Sequence, residues 1–259
     1  MIDNTGYVPR HVRDSATVLR DRVGRYVFVS TVAVYDFNSG SVFSESSPLA
    51  TMADPKDETE TSATYGPLKA ECERELRKVM GERCTIVRPG YILGPGDDTD
   101  RFIYWIERVM RGGDVLGPTG RDHEWQWVDV RDLCPWVVRL AEQDRAGTFN
   151  AVGPASPTTR EQVMWGLRAL TAAPVRIHWP SAELVKELAI PLPMVPARPT
   201  SMHFAGEAGQ AAGLEFRSLA DTSVAMLGWW HEQTEERRTR AKRWPTEEQE
   251  RAAIARLAK

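Results

Sequence analysis

The sequence predicts an α/β protein built on a parallel sheet, and three patterns lead to this fold class. Two short apolar segments, "YVFVS" at residues 26–30 and "CTIVR" at residues 84–88, have the character of strands buried on both faces. Each follows a segment whose apolar residues recur at helical spacing. Gly24 and Gly81 provide short turns between helix and strand. The repeated order of helix and strand therefore indicates parallel strands joined by helical crossovers.

The remaining elements follow along the chain. Helices are predicted at residues 10–23, 67–80 and 101–111, and further strands at "WQWVDV" (residues 125–130) and "GTFNAVG" (residues 147–153). Asp132 is expected to cap the helix that follows, and Thr158 with Glu161 has the spacing of a capping box before the next one. Residues 36–64, with "SESSP" and "DPKDETETS", are expected to form a surface loop.

Composition and charge favour a soluble protein with a small-molecule partner. Of the 259 residues, 42% are apolar and 27% are charged, and the formal net charge is −3. This charge argues against nucleic acid, and the basic stretch "EERRTRAKR" is interpreted as a solvated helix face. No apolar run approaches the roughly 18 residues of a membrane span, so no membrane partner is expected. Three cysteines without a CxxC pair and histidines without ligand spacing favour reduced thiols, no metal and a cytoplasmic location.

The stretch "YGPLKAECE" carries the first chemical signal. Tyr65 and Lys69 are four residues apart at the start of a helix, so their side chains face the same way. A lysine ammonium near a phenol lowers the phenol's pKa from about 10, which suits a general acid or base. Thr31, at the end of the strand "YVFVST", and "RPG" (residues 88–90) are expected at the same carboxyl edge of the sheet. Together these features predict a single site.

The segments "YVFVSTVAVY", "YGPLK", "IVRPGYILGPGD" and "VDVRDL", in this order, resemble the extended short-chain dehydrogenase/reductase superfamily. The resemblance is greatest to its NAD-dependent epimerase/dehydratase family. It implies a Rossmann-type parallel sheet with a smaller mixed α/β C-terminal substrate lobe. It also implies NAD or NADP as cofactor and hydride transfer to or from a hydroxyl-bearing or keto carbon of a small molecule, sugar-like molecules included.

The resemblance assigns roles to individual residues. Tyr65 matches the catalytic acid/base, Lys69 the lysine that binds the nicotinamide ribose, and Thr31 the catalytic Ser/Thr. The implied cofactor-binding residues are Thr5, Gly6, Ser30, Tyr65, Lys69, Pro89, Gly90 and Ile92. The domains expected from it are a partial Rossmann domain (1–154), a substrate lobe interleaved with it (155–235) and a charged helical tail (236–259).

The chain departs from the family pattern at its front. No glycine-rich GxxGxxG turn precedes "YVFVS", so an N-terminally truncated sheet and weak cofactor binding are expected. Two explanations stand: a late start or gene fragment, which is favoured, or a short protein whose open edge is completed by a partner or a second copy, as in a homodimer. A non-catalytic binding or scaffold protein with relic site residues remains the alternative function.

Two further departures concern the reaction. Thr31 is followed by Val32 and Ala33, so no carboxylate is placed for elimination and dehydratase chemistry is disfavoured. The family's sugar-nucleotide epimerases place an arginine before the "VDVRDL" strand end, and Arg121 is near this position but not aligned with it. The sequence therefore predicts an NAD(P)-dependent oxidoreductase or epimerase, impaired in this chain, and puts a nucleotide-sugar substrate in doubt.

Overall fold

The computed structural model describes residues 1–54, 56–196, 200–240 and 244–258. Strands in this part of the chain are β1 (Ile2–Asp3), β2 (Tyr26–Val29), β3 (Val42–Phe43), β4 (Cys84–Pro89), β5 (Tyr91–Leu93), β6 (Gly113–Leu116), β7 (Trp127–Asp129), β8 (Gly147–Ala151), β9 (Val175–His178) and β10 (His203–Phe204). Helices are α1 (Pro9–Leu19), α2 (Tyr65–Met80), α3 (Arg101–Met110), α4 (Val130–Glu142), α5 (Arg160–Arg168), α6 (Ala182–Glu187), α7 (Glu207–Ala211), α8 (Leu219–His231), α9 (Glu235–Thr239) and α10 (Glu247–Leu257).

Four strands form the parallel sheet that positions the site. They lie in the order β1-β2-β4-β8, and each neighbouring pair is parallel. The predicted α/β class with a Rossmann-type parallel sheet is therefore confirmed. Because all four strands run the same way, their carboxyl ends meet at one edge.

Both faces of this sheet are covered, which explains the continuous apolar runs. Helices α1 and α2 pack together, and their residues Val12 and Leu76 share a buried cluster with Phe28 of β2. The alternate residues Val27 and Val87 are also fully buried, and α4 packs against β2. The strands β2 and β4 are thus buried on both faces, as the sequence predicted.

The chain divides into two compact units. The first comprises Met1–Tyr91, Gln126–Ala155 and Met202–Phe216, and the second Ile92–Trp125, Ser156–Ser201 and Arg217–Lys259. The first unit contains the parallel sheet. In the second, α3 packs against α5 and α8, and β6 pairs with β9 and contacts α10. The predicted boundaries at residues 154 and 235 stay a prediction.

Two predicted helix caps are wrong by a few residues. The cap of α4 is Asp129, whose side chain accepts from the backbone N–H of Arg131, and Asp132 lies in the first turn. The capping box of α5 is formed by Thr159 and Gln162, one residue later than predicted. In both cases the capping residue has the extended backbone that a cap requires, which the sequence pattern does not reveal.

The predicted loop is more structured than expected, because within residues 36–64 β3 pairs in parallel with β10. The tail, expected to be a charged helix, contains the helices α9 and α10. Glu250 of α10 is buried and paired with Arg108, and Ala253 is fully buried. Residues 241–243 of the basic stretch lie outside the described residues. Of the described helices, none has the length and apolar character needed to span a membrane.

Candidate active site

Helix α2 begins against the turn that follows β2, so that its first turn lies beside the backbone of Ala33. A Cβ atom on Gly66 would lie 2.1 Å from the carbonyl oxygen of Ala33. Only glycine therefore allows the first turn of α2 to approach this backbone so closely. The helix and the turn at Val32–Val34 are in contact, as the predicted site requires.

Lys69 is buried at the carboxyl edge of the sheet. Its Nζ donates to the carbonyl oxygens of Gly6 at 2.9 Å and Val29 at 2.8 Å. It also lies 4.1 Å from the ring centroid of Phe28, within cation–π range. The side chain is 3% exposed, and this burial lowers the pKa of Lys69 from its usual 10.5 to about 8. Because these two carbonyls take two of the three donors of the ammonium group, the third fits a ligand hydroxyl.

Thr31 keeps a hydrogen-bond donor for a ligand. Its Oγ1 accepts from the backbone N–H of Ala33 at 3.1 Å and caps the short 3₁₀ turn Val32–Val34. The side chain is half-buried. Since the oxygen accepts in this contact, the hydroxyl proton can still be donated to a substrate oxygen.

Tyr65 is the first residue of α2 and is half-buried. Its backbone N–H donates to the carbonyl oxygen of Thr61 at 2.9 Å, which fixes the start of the helix. Lys69 follows one helical turn later, so the structure gives the two residues the shared helix that the sequence predicted.

Behind these side chains lies a buried ion pair between Arg88 of β4 and Glu73 of α2. Arg88 donates from Nε and Nη2 to the two carboxylate oxygens of Glu73 at 2.9 and 2.6 Å. The hydroxyl of Ser30 donates to the same carboxylate at 2.6 Å. All three residues are buried. The side chain of Ser30 is bonded to the ion pair. If Ser30 contacts a cofactor, as predicted, it would do so with backbone atoms.

The same guanidinium group holds the segment that follows β3. Its Nη1 donates to the hydroxyl of Tyr35 at 3.0 Å and to the carbonyl oxygen of Glu45 at 3.1 Å. The hydroxyl of Tyr35 in turn donates to Asn150 of β8 at 2.6 Å. Hydrogen bonds therefore join β4 and β8 through Tyr35, and connect β4 to the stretch "SESSP" through Glu45.

Sequence reasoning missed Glu73, although a signal was present. Tyr65, Lys69 and Glu73 are spaced by four residues in "YGPLKAECE" and so lie along one face of α2. Its partner Arg88 was expected at the carboxyl edge of the sheet as part of "RPG", but no partner was predicted for it. No local pattern predicts that these two residues pair.

The other predicted cofactor residues occupy different places. Thr5 and Gly6 lie in the loop after β1, and Gly6 provides one of the two carbonyls bound by Lys69. Pro89 ends β4, and the backbone N–H of Gly90 donates to Ala151 of β8 at 3.2 Å. Ile92 lies in the second unit. Their contacts with a cofactor stay a prediction.

Comparison with known proteins gives a family match and two curated relatives. The model of the NAD dependent epimerase/dehydratase family matches residues 9–152. A dTDP-4-keto-6-deoxy-D-glucose reductase of Streptomyces niveus is 27% identical over 168 residues, 64% of this chain and 53% of that protein. An epimerase family protein of Bos taurus is 31% identical over 102 residues, 39% of this chain and 33% of that protein. The chain therefore matches about half or less of the length of these relatives.

Solved structures share the fold at low identity. The Bordetella bronchiseptica enzyme WbmG, in complex with NAD and UDP, has a TM-score of 0.61 at 18% identity, covering 87% of this chain and 64% of its own. The dTDP-4-dehydrorhamnose reductase of Bacillus anthracis, in complex with NADP, has a TM-score of 0.59 at 16% identity, covering 83% of this chain and 69% of its own.

Proposed function

Because this chain belongs to the NAD-dependent epimerase/dehydratase family, whose model matches more than half of it, we propose that it is an NAD(P)-dependent reductase or epimerase. The reaction would be hydride transfer at a hydroxyl-bearing or keto carbon of a small molecule. The observation that carries the proposal is the placement of Lys69, held between two backbone carbonyls at the carboxyl edge of the sheet, one helical turn from Tyr65.

The residues present fit the nicotinamide half of the cofactor. Lys69 would offer its third donor to a ribose hydroxyl, and Thr5, Gly6, Pro89 and Gly90 of the first unit would line this half with backbone atoms. A bound nicotinamide would supply or take up hydride. The chain carries no glycine-rich turn before β2 that would hold the pyrophosphate.

Three side chains would carry out the proton chemistry. The hydroxyl of Thr31 would donate a hydrogen bond to the substrate oxygen and hold it beside Tyr65. The phenolic oxygen of Tyr65 would take the proton from a substrate hydroxyl, or return it to a substrate carbonyl oxygen. The charge of Lys69 would favour the phenolate form of Tyr65.

A sugar nucleotide is the first candidate for the substrate. The reductase of Streptomyces niveus is named for dTDP-4-keto-6-deoxy-D-glucose, and this relationship outweighs the missing arginine before β7. Arg121, the nearest arginine in the sequence, pairs with Glu161 in the second unit. Elimination chemistry is not proposed, because Val32 and Ala33 follow Thr31.

The test compares Tyr65→Phe with the wild-type chain. Turnover of dTDP-4-keto-6-deoxy-D-glucose is followed by the loss of reduced nicotinamide at high cofactor concentration, and cofactor binding by calorimetry. We expect Tyr65→Phe to lower kcat by about 10²–10⁴-fold, the usual contribution of a general acid or base, and to leave cofactor affinity unchanged. Tyr7→Phe is the matched control, because that ring lies 5.6 Å from the Nζ of Lys69 and has no proposed role.

Near-normal turnover of Tyr65→Phe would refute its role as acid/base. A wild-type chain that neither binds NAD(H) or NADP(H) nor turns over any keto sugar nucleotide would refute the proposed function. The non-catalytic binding protein would then be the better description.

A further inference from the structure

Asp3 is a buried carboxylate that shapes the loop beside Lys69. Its Oδ1 accepts from the backbone N–H of Thr5 at 2.8 Å, the hydroxyl of Thr5 at 3.1 Å and the backbone N–H of Gly6 at 3.1 Å. Its Oδ2 accepts from the hydroxyl of Tyr26 at 2.6 Å, which also contacts Ser15 at 3.0 Å. The carboxylate is thus surrounded by neutral donors, and Asp3 is only 6% exposed.

Gly6 connects Asp3 with Lys69 through its two backbone hydrogen-bonding groups. Its N–H is bound by Asp3, and its carbonyl oxygen accepts from the Nζ of Lys69. A Cβ atom on Gly6 would lie 2.4 Å from Val12 and 2.8 Å from Phe28, so the residue is already packed against the core. With the core on one side and the carboxylate on the other, the direction of this carbonyl is fixed.

The charges around Lys69 distinguish Asp3 from the other acidic groups. Burial lowers the pKa of Lys69, and four groups oppose this effect: Cys72 and Glu73 of α2, Asp3 of β1 and Glu60 before α2. Burial raises the pKa of Cys72 to about 12, so it is a neutral thiol near pH 8. The charge of Glu73 is offset by its pairing with Arg88, and Glu60 is exposed to solvent.

Of these four groups, Asp3 is therefore the buried carboxylate that has no ion pair with an arginine among the described residues and is not exposed to solvent. Across the residues that the structure describes, its hydrogen-bond donors are all neutral. Lys69 likewise is bonded only to neutral carbonyl oxygens in that part of the chain. A buried anion and a buried cation face the same residue, Gly6, from its two ends.

We propose that Asp3 is the positioning residue and counter-ion of Lys69, acting through Gly6, with Tyr26 holding the outer oxygen of the carboxylate. The placement of Lys69 follows from the contacts above. The consequence for catalysis rests on the proposed function: with Asp3 charged, Lys69 keeps its proton, and with it the charge that assists Tyr65, to a higher pH.

The test reads the protonation of Lys69 directly, in the chain without cofactor. Lysine side chains are labelled with ¹³C and ¹⁵N, the resonance of Lys69 is assigned by its loss in Lys69→Met, and its shift is followed with pH. Asp3→Asn keeps the shape of the side chain and an acceptor oxygen for the loop but removes the charge. We expect the pKa of Lys69 to fall by about 0.5–1 unit in this variant, as for the loss of a nearby charge.

Asp21→Asn is the matched control, because the carboxylate of Asp21 is 82% exposed and pairs only with its neighbour Arg20 in the described chain. It should leave Lys69 unchanged. Tyr26→Phe keeps the charge of Asp3 and frees its outer oxygen, and should shift Lys69 less than Asp3→Asn does. Thermal unfolding of each variant confirms that the chain is folded.

The same variants are then compared in turnover. In Asp3→Asn the alkaline limb of the pH profile of kcat should move to lower pH by the shift seen in the spectra. An unchanged pKa of Lys69 in folded Asp3→Asn overturns this inference, even if the wild-type chain is an active reductase. A lowered pKa in a chain without turnover supports the inference and counts against the proposed function alone.

Discussion

Replacing Glu73 by alanine would leave Arg88 buried without its carboxylate partner. The pair is enclosed by protein, with side-chain exposures of 1% for Glu73 and 3% for Arg88. Two hydrogen bonds from the guanidinium and one from Ser30 end on this carboxylate. In the variant, the guanidinium keeps only its bonds to Tyr35 and to a backbone carbonyl in the described part of the chain.

The expected loss follows from the burial of the charge. Breaking a buried ion pair by removing one partner costs about 3–5 kcal/mol, a large part of the roughly 5–15 kcal/mol that stabilises an ordinary domain. Glu75→Ala is the matched control: it is the same substitution in the same helix, but its partner Lys78 is 68% exposed. Glu75 itself is 18% exposed, but because its partner is largely in solvent, the pair should contribute no more than about 1 kcal/mol.

The measurement is the free energy of unfolding from urea titrations followed by circular dichroism. A difference of about 3 kcal/mol between Glu73→Ala and Glu75→Ala is expected, since both variants gain the same helix propensity. The double variant Glu73→Leu with Arg88→Met should recover most of the loss, because no unpaired charge remains. A loss below about 1 kcal/mol for Glu73→Ala would show that this pair is not desolvated as described.

Three further outcomes can be measured on the same chain. Gly66→Ala, which would drive a Cβ atom into the neighbouring backbone carbonyl, should cost about 1–3 kcal/mol in unfolding titrations and lower kcat more than it changes KM. Arg237→Ala should cost about 2–4 kcal/mol, because it leaves the fully buried carboxylate of Asp100 unpaired, whereas Arg240→Ala, in an exposed pair, should cost less than about 1 kcal/mol by the same titration. Burial lowers the pKa of Lys69 from 10.5 to about 8, so between about pH 8 and 10.5 the folded chain binds fewer protons than the unfolded chain. The free energy of unfolding should therefore rise with pH in this window, and Lys69→Met should remove that rise.

The parallel sheet could be predicted because its signals are local. The segments that became β2 and β4 are mostly apolar and wholly or largely buried, and the structure shows why: helices cover both faces. By contrast, β3 and β10 have two residues each and pair across the chain between Val42–Phe43 and His203–Phe204. Strands this short carry no periodicity from which pairing could be read.

The site could be predicted in part for a similar reason. Tyr65 and Lys69 share one helix, so their spacing was enough to bring them together. Two other contacts could not be predicted: the ion pair between Glu73 and Arg88, and the hydrogen bond from Gly6 to Asp3. Both depend on how the chain packs in the folded structure. The cap at Asp129 was missed because Asp132 offers the same chemistry three residues later, and backbone conformation decides between them.

The ion pair between Arg108 and Glu250 has a consequence for how the protein is made. The two residues are 142 positions apart, and Arg108 lies in α3, whose face is lined with buried aromatic rings. At a synthesis rate of about 5–20 residues per second, Arg108 leaves the ribosome roughly 7–28 s before its partner. During that interval the second unit lacks α10, and Arg108 has no carboxylate partner from it. The buried charge of Arg108 is therefore neutralised only after Glu250 has been made, so the second unit reaches its final packing late in synthesis.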